Sequence, residues 1–367
     1  MRRRGDQLRA GPMSTLAVVA LLAAACTGGE SSDPPDTVVT TTTEVVEERV
    51  DDGVLTIGAL LPNGESGVRE PLESSIEEAV EEVNRAGGVL GRDVRLIPAD
   101  EGETSVSASQ AIEDLVDRNV DAIVGPASSN TAIGALDEAV AAGIVTCSAT
   151  ATAIALDDFP DEGLFFRSIA TDSLQAIAIA REAQATGAST VAIVHVDDAY
   201  GRPYAAAVAD ALGGDIAVET IAIPVGTDDL EDELARVATI SPQVLVSIGS
   251  GVDTARFLEA VGNHDGVTVP TIIVNDAARS AATRPAIAAL PSTVRSRVVV
   301  IAPQIVLRQG ADPAQDAPFG PQATDCVNLL ALSAIQGVDS GMRPPALRAN
   351  AQGVGQICFT DLSRHSC

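Results

Sequence analysis

Residues 120–152 read VDAIVGPASSNTAIGALDEAVAAGIVTCSATAT and contain a predicted strand, a helix and a second strand, in that order. The runs VDAIVGP and IVTCSA have the length and apolar content of buried strands. Between them, NTAIGALDEAVAAG has helical spacing of its apolar residues and ends in glycine. Strands that alternate with helices build a parallel sheet covered by helices. This stretch therefore predicts an α/β fold.

The same alternation continues on both sides of this stretch. It begins at Val54 with the strand VLTIGALLP, resumes after residues 164–171 with the strand TVAIVHVDD, and runs to PTIIVND at residues 270–276. Two such runs predict two Rossmann-like lobes with parallel sheets, joined by a hinge. Ligands are commonly bound in the cleft between two domains of this kind.

The expected domain boundaries follow from these two runs. The first lobe would span residues 53–170 and the second lobe residues 171–298. Residues 299–367 would form the C-terminal segment. They contain the strongly helical stretch PQATDCVNLLALSAIQG, whose apolar face has to cover one of the lobes.

The N-terminal region has the features of a secreted chain. Residues 1–25 combine a basic start with an apolar run that is too short to span a membrane, which predicts a signal peptide. The sequence LLAAAC resembles a bacterial lipobox, in which Cys26 would carry lipid; a plain signal peptide or a buried cysteine are the alternatives. Residues 26–52 are rich in Thr, Pro and acidic residues, which is typical of a flexible tether. We therefore expect an extracytoplasmic protein that is anchored to the cell membrane.

The net charge excludes several classes of partner. The formal charge is −28, and all 23 basic residues are arginine. A chain this acidic is repelled by nucleic acids and by anionic membrane surfaces, so we expect it to bind neither.

The cysteines suggest disulfides rather than a metal site. With Cys26 assigned to lipid, the remaining cysteines are Cys147, Cys326, Cys358 and Cys367, an even number that allows three pairings. The short loop CFTDLSRHSC favours Cys358 with Cys367, which leaves Cys147 with Cys326. There is no CxxC motif and the three histidines are scattered, so we expect no metal and no cofactor.

Small hydroxyl residues follow two strands of the predicted first lobe. Ser128 and Ser129 come after the strand VDAIVGP, and Thr150 and Thr152 come after IVTCSA. Ligand crevices lie outside the carboxyl ends of parallel strands, where helix N-termini offer N–H groups to anions. Ser128, Ser129 or Asn130 could cap the helix while its free N–H groups and the threonine hydroxyls bind a ligand carboxylate; the alternative is simple capping by Ser129 and an ordinary polar loop at residues 148–152.

Several motifs in order carry a resemblance to one family: VNRAGGVLGRDVRLIPAD, DRNVDAIVGPASSNT, AAGIVTCSATAT, VAIVHVDDAYG and DCVNLLALSAIQG. Together with the lipobox, they resemble the leucine/isoleucine/valine-binding proteins, which are type 1 periplasmic binding proteins of ABC transporters. The resemblance implies a type 1 fold of two Rossmann-like lobes joined by a hinge, in which residues 299–367 return to the first lobe. The lobes of this fold close around an amino acid or a related small carboxylate. It also implies a monomer without enzymatic activity that delivers its ligand to an ABC permease in the membrane.

The resemblance assigns the carboxylate end of the ligand to the first lobe. The family's serine falls on Ser129 in ASSN and its threonine donor falls on Thr152, with the backbone of Thr150 nearby.

It assigns the opposite end to the second lobe. The family's aromatic falls on Tyr200 in DDAYG, and its acidic residue for the ligand ammonium falls on Asp276 in IVNDA. Tyr200 could instead pack at a strand end, and Asp276 could cap the next helix. Ser250 in SIGSGVD, and Val68 or Arg69 in ESGVREP, stand where the family has further aromatics. Arg69 would favour a second ligand carboxylate if it faces the cleft.

Other classes of function receive less support from the sequence. An enzyme would need a motif such as G-x-S-x-G, which is absent, and GSGVDT at residues 249–254 matches the dinucleotide-binding pattern only in part. A ligand-sensing lipoprotein that serves a signalling partner, or a degenerate binding module, remain as alternatives to transport.

Overall fold

The computed structural model describes residues 52–63, 67–281, 283–303 and 319–339. The predicted signal peptide, the tether up to residue 51, Cys26, Cys358 and Cys367 lie outside these residues.

The first lobe is a five-stranded parallel sheet with helices on its faces. Its strand order is β2-β1-β3-β4-β5, and β1, which is buried along its whole length, lies between β2 and β3. The strands are β1 (Thr56–Leu61), β2 (Arg95–Asp100), β3 (Ala122–Val124), β4 (Val145–Ser148) and β5 (Phe165–Arg167). The helices that connect them are α1 (Arg69–Arg85), α2 (Ser105–Asp117) and α3 (Ser129–Ala141).

The second lobe repeats this topology. Its sheet is also parallel and has the order β10-β9-β8-β6-β7, which is the order of the first sheet read from the other edge. The strands are β6 (Thr190–Val196), β7 (Ala217–Ile223), β8 (Val244–Ile248), β9 (Thr271–Val274) and β10 (Val298–Val300). The helices are α4 (Asp172–Ala185), α5 (Gly201–Leu212), α6 (Glu231–Ile240), α7 (Gly251–Asn263), α8 (Thr283–Ala289) and α9 (Ser292–Arg295). The predicted fold class is confirmed.

Helix α10 (Gly320–Asp339) packs on the first lobe. Its apolar residues Ala323, Val327 and Leu330 are buried in the same core as Leu72 and Ile76 of α1. The apolar face of this helix therefore covers the first lobe, although it follows the second lobe in the sequence.

A disulfide fixes this returning helix to the sheet. Cys147 in β4 is bonded to Cys326 in α10, 179 residues further along the chain. This is the pair that remains when the C-terminal cysteines are paired with each other. The bond joins the strand that precedes Thr150 to the helix that closes the lobe.

None of the described helices is long and apolar enough to cross a membrane.

Candidate ligand-binding site

A cavity of about 380 Å³ lies where the carboxyl ends of both sheets meet. The first lobe contributes the segments that follow β1, β3 and β4, and the second lobe contributes those that follow β6, β8 and β9. This is the position expected for a ligand of open parallel sheets. All six residues predicted to bind ligand lie on the cavity wall: Ser129, Thr150, Thr152, Tyr200, Ser250 and Asp276.

The hydroxyl residues of the first lobe hold two cavity segments together. Ser129 Oγ accepts a hydrogen bond from the backbone N–H of Ala153 at 3.2 Å, and Thr150 Oγ1 donates to the carbonyl of Ala127 at 2.6 Å. The proton of the Thr150 hydroxyl is therefore committed within the protein. Ser129 acts here as an acceptor, so its hydroxyl proton remains available for an anionic ligand atom.

The start of α3 is held by a carboxyl group rather than by a serine cap. Ser128 is the N-cap residue, but its side chain makes no capping bond. Instead, the buried Glu101 at the end of β2 accepts hydrogen bonds from the N–H groups of Ala127, at 2.7 Å, and Ser128, at 3.0 Å. The expectation that Ser128, Ser129 or Asn130 caps the helix through its side chain is therefore wrong. Burial raises the pKa of Glu101 to about 8.

Gly125 allows the segment before α3 to approach β1. Its φ is +123°, and a Cβ atom there would lie 2.0 Å from the carbonyl oxygen of Leu60. Only glycine fits this position without moving the backbone, so Gly125 helps to place the cavity-lining residues that follow it.

Tyr200 and Ser250 stand at helix starts of the second lobe. The Tyr200 hydroxyl accepts a hydrogen bond from Nδ2 of Asn275 at 2.8 Å, and its ring packs edge-on against the buried Tyr204. Ser250 caps α7, because its hydroxyl donates to the Asp253 carboxylate at 2.6 Å and accepts from the Asp253 N–H. The Ser250 proton is thus already used, whereas the Tyr200 hydroxyl can still donate to a ligand.

Asp276 is a buried carboxyl group at the end of β9, with only 4% of its surface exposed. Burial raises its pKa to about 6, while the Gln175 side chain and the N–H groups of Ala277 and of Asp276 itself favour the ionised form. Asp172, at the start of α4, is also buried, and its pKa is raised by burial and by repulsion from Asp276. A cation in the cavity would relieve this cost.

The charges of the cavity wall determine which ligands suit it. The described wall contains Asp198, Asp253 and Asp276, and neither Arg nor Lys. Arg69 does not serve the cavity, because its guanidinium donates to the carbonyl of Pro62 at 2.8 Å and pairs with Glu73 at 3.4 Å. A ligand carboxylate would therefore be bound by hydroxyl and N–H groups alone, and a second carboxylate would meet no counter-charge.

The apolar part of the wall includes residues that sequence reasoning missed. Phe319, just before α10, supplies an aromatic ring, and Val225 and Val252 add aliphatic surface from the second lobe. Phe319 follows no predicted strand, so only the return of the chain to the first lobe brings it to the cavity. Val68, which was one of two candidates for an expected aromatic position, also lies on the wall.

No metal site accompanies this cavity among the described residues. In that part of the chain, His, Cys, Asp and Glu form no group of three or more that could hold a metal ion. His195 lies at the end of β6, largely buried, with its Nδ1 3.0 Å from the carbonyl oxygen of Val196.

A side-chain hydrogen bond joins the two lobes at the cavity, in addition to a backbone bond from the N–H of Ala281 to the carbonyl of Gly67 at 3.3 Å. Nδ2 of Asn130 in the first lobe donates to Oδ2 of Asp198 in the second lobe at 2.8 Å.

Asn130→Ala is expected to weaken the contact between the two lobes by about 0.5–1.5 kcal/mol and to speed ligand dissociation several-fold. Stopped-flow dissociation kinetics would measure this, with Gln110→Ala, an exposed polar residue of the same lobe, as the control. Equal rates for both variants would show that the bond does not hold the lobes together.

Comparison with known proteins agrees with this architecture. Residues 54–294 match the model of the family described as periplasmic binding protein. A curated relative from Halobacterium salinarum, the chemotactic signal transduction system substrate-binding protein BasB, is 31% identical over 326 residues, which is 84% of this chain and 78% of the relative. The Leu/Ile/Val-binding protein BraC3 of Rhizobium johnstonii is 30% identical over 229 residues, which is 60% of this chain and 61% of the relative.

Solved structures show the same fold. The branched-chain amino acid transporter substrate-binding protein LivJ of Streptococcus pneumoniae, in complex with isoleucine, aligns with a TM-score of 0.68 at 19% identity, covering 81% of this chain and 87% of LivJ. The leucine-binding protein LivK of Thermotoga maritima aligns with a TM-score of 0.67 at 17% identity, covering 81% of this chain and 87% of LivK.

Proteins of this family bind substrates and act outside the cytoplasm. The family match spans most of the two lobes, and one of the curated relatives is a leucine/isoleucine/valine-binding protein. The chain therefore belongs to the periplasmic binding protein family, in its type 1 branch.

Proposed function

We propose that the chain is the extracytoplasmic substrate-binding lipoprotein of an ABC transporter, and that its ligand is an α-amino acid with a small aliphatic side chain. The observation that supports this most is the polarity of the cavity. Hydroxyl groups and a helix start lie on the first-lobe wall, and the buried carboxyl of Asp276 lies on the second-lobe wall.

This polarity matches a zwitterion. Ser129, Thr152 and the N–H groups at the start of α3 bind the ligand carboxylate, because such groups stabilise an anion without a basic side chain. Asp276 binds the ammonium group through a charge-assisted hydrogen bond. Valine side chains and Phe319 surround the aliphatic part of the ligand. Since the ligand contacts both lobes only when they are closed, its binding energy shifts the population towards the closed state.

The remaining features of the proposal concern location and delivery. The expected lobe boundaries are residues 53–170 and 171–298, with residues 299–367 returning to the first lobe; β10 (Val298–Val300) extends the second lobe past this boundary before the chain returns. A tether at residues 26–52 links the protein to lipid on Cys26. The monomeric, closed protein then docks on a membrane permease. Mass spectrometry of the membrane-bound protein, compared with a Cys26→Ser variant that is released, would test the anchor.

A thermal-shift screen tests the proposed ligand class. Residues 53–367, with disulfides intact, would be melted with aliphatic amino acids, basic amino acids, dicarboxylates and sugars. A ligand present at about a hundredfold its Kd adds about 2.7 kcal/mol to the free energy of unfolding, which gives a clear rise in Tm. We expect aliphatic amino acids to give this rise and dicarboxylates to give none.

The variant that combines Ser129→Ala with Asp276→Ala is the site control for this screen. It removes one group from each end of the proposed ligand and is expected to abolish the rise in Tm. A rise that persists in this variant would place the ligand elsewhere. No rise with any compound, for a folded protein, would favour the degenerate module.

One observation favours a sensing role as the second candidate. The relative from Halobacterium salinarum that matches 84% of this chain is named as part of a chemotactic signal transduction system. Uptake of the ligand by proteoliposomes that contain the permease and this protein would distinguish transport from sensing.

A further inference from the structure

A second carboxyl group lies behind Asp276 on the second lobe. Asp172 is the first residue of α4, and its side chain is fully buried. Gln175, on the same turn of the helix, donates from its amide Nε2 to Oδ1 of Asp172 at 3.2 Å, and its side chain also favours the ionised form of Asp276. One neutral amide thus acts on two carboxyl groups, Asp172 and Asp276, which we call the acidic pair.

Several oxygen atoms around this amide make no hydrogen bond. Among the described residues, none forms a hydrogen bond with Oδ2 of Asp172, Oε1 of Gln175 or Oδ1 of Asn275, although all three atoms are buried; the Thr152 side chain favours the ionised form of Asp172. Buried acceptors are normally satisfied. This accumulation of unpaired acceptors beside the cavity therefore favours the entry of a group that is rich in donors and carries a positive charge.

The other charged groups near the acidic pair do not neutralise it. Arg167 faces Asp172, but its guanidinium forms an ion pair with Asp157 at 2.7 Å. Arg279, three residues after Asp276, favours the ionised form of Asp276, but less than the Gln175 side chain and the backbone N–H groups do. The hydroxyl groups of Tyr200 and Tyr204 are neutral at physiological pH, and the negative pair raises their pKa further.

We propose that Asp172 is a positioning residue of the ligand site, and that the acidic pair holds one positive charge, which is either a proton or the ammonium group of the ligand. The ammonium group contacts Asp276, which lines the cavity. Asp172 acts on it through Gln175 and through Thr152, whose carbonyl accepts a hydrogen bond from the Asp172 N–H at 2.9 Å. This inference rests on the proposed function and adds the selection of a primary ammonium group.

The proposal makes protons competitors of the ligand. The pKa of Asp276 is raised to about 6, and that of Asp172 is raised by burial and by the charge of Asp276. Where the pair carries a proton that the ammonium must displace, ligand affinity is expected to rise with pH, by up to about tenfold per pH unit. Asp172→Asn removes the group whose pKa is raised by burial and by the charge of Asp276, so the last proton of the pair leaves at the pKa of Asp276, about 6, and the pH at which affinity stops rising moves down.

Calorimetric titrations between pH 4.5 and 8.5 test this expectation. The probes are L-leucine and L-alanine, and 4-methylpentanoate, which lacks the ammonium group, is expected not to bind. Wild type, Asp172→Asn and the control Asp137→Asn are compared. Asp137 is exposed on α3 of the other lobe, so its replacement makes the same change in net charge without contact to the acidic pair.

A shifted pH midpoint in Asp172→Asn, together with an unshifted one in Asp137→Asn, is the expected result. If the amino acids bind but affinity does not vary with pH, or the midpoint is the same in all three proteins, this inference is wrong and the proposed function stands. If neither probe binds the wild type at any pH, the proposed function fails, and the inference fails with it.

A second measurement decides the question should Asp172→Asn not fold. Carbon-13 NMR of the aspartate carboxyl groups in the wild-type protein would follow the acidic pair directly. We expect two carboxyl groups that titrate well above the usual range for aspartate, both of which L-leucine displaces to lower pH. Carboxyl groups that all titrate in the usual range, or that L-leucine leaves unchanged, would overturn the proposal.

Discussion

Replacing Cys147 and Cys326 together by alanine is expected to lower the free energy of unfolding by about 2–5 kcal/mol. The bond closes a loop with a sequence separation of 179 residues, which contains the whole second lobe. A crosslink over so long a stretch removes much conformational freedom from the unfolded chain, and this places the expected loss at the upper end of the range. Both sulfur atoms are also buried, so the smaller side chains leave less apolar contact between β4 and α10.

Urea denaturation of wild type and the double variant measures this loss. The control is wild type under reducing conditions, which opens the bond without changing the packed side chains. We expect reduction to reproduce most of the loss, and ligand affinity to fall as well, since β4 leads directly into Thr150 and Thr152. An unchanged denaturation midpoint after full reduction would contradict the stabilising role of this bond.

Glu101→Gln is the second change with a large expected effect, and its effect depends on pH. An amide in place of the carboxyl group turns an NH₂ group towards one of the two backbone N–H groups that Glu101 binds. Leaving a buried donor unsatisfied costs about 1–3 kcal/mol, so the variant is expected to be less stable at pH 5 by that amount. The segment before α3 should also loosen, which weakens ligand binding.

The stability advantage of the wild type over Glu101→Gln decreases as the pH rises. Because the pKa of Glu101 is raised from 4.5 to about 8 in the folded protein, the unfolded chain releases its proton first. The stabilisation is complete below the unfolded pKa and declines by about 1.4 kcal/mol per pH unit until the folded pKa is passed. The variant has no such group, so the stability difference between the two proteins should shrink above pH 5 and, because the decline exceeds 1–3 kcal/mol within about two pH units, change sign before pH 8.

Denaturation at several pH values, with Glu138→Gln as the control, tests this prediction. Glu138 is exposed on α3, so its replacement is expected to change stability by less than about 0.5 kcal/mol. A difference between Glu101→Gln and wild type that stays constant from pH 5 to pH 8 would show that Glu101 is already ionised at pH 5.

The architecture was accessible from the sequence because strands and helices are encoded locally. The stretch at residues 120–152 shows this, since its alternation of apolar strands and an amphipathic helix is present whatever the rest of the chain does. The candidate residues Ser129 and Thr152 could be placed at one edge because the carboxyl ends of parallel strands share an edge.

The contacts that distinguish this site depend on tertiary structure. Glu101 follows a strand as an ordinary acidic residue in PADEG, and only the packing of β2 against β1, which has β3 on its other side, buries it under the start of α3. The interaction of Asp172 with Asp276 also depends on tertiary structure, because Asp172 starts α4 whereas Asp276 follows β9. The periodic pattern of a sequence does not predict which strand ends and helix starts will face each other in the folded protein.

The matching strand orders of the two sheets also suggest how the chain evolved and what sets the orientation of its ligand. Both lobes present the segments after their first, third and fourth strands to the same cavity, so the two walls are built in a similar way, and the second lobe adds Val225 after its second strand. Such a pair is the expected product of duplicating one five-stranded unit. The copies then diverged, since the segment after the fourth strand carries Thr150 and Thr152 in one and Asp276 in the other. Two identical walls would bind a ligand equally well in either orientation. This difference between the copies gives the proposed zwitterion only one orientation.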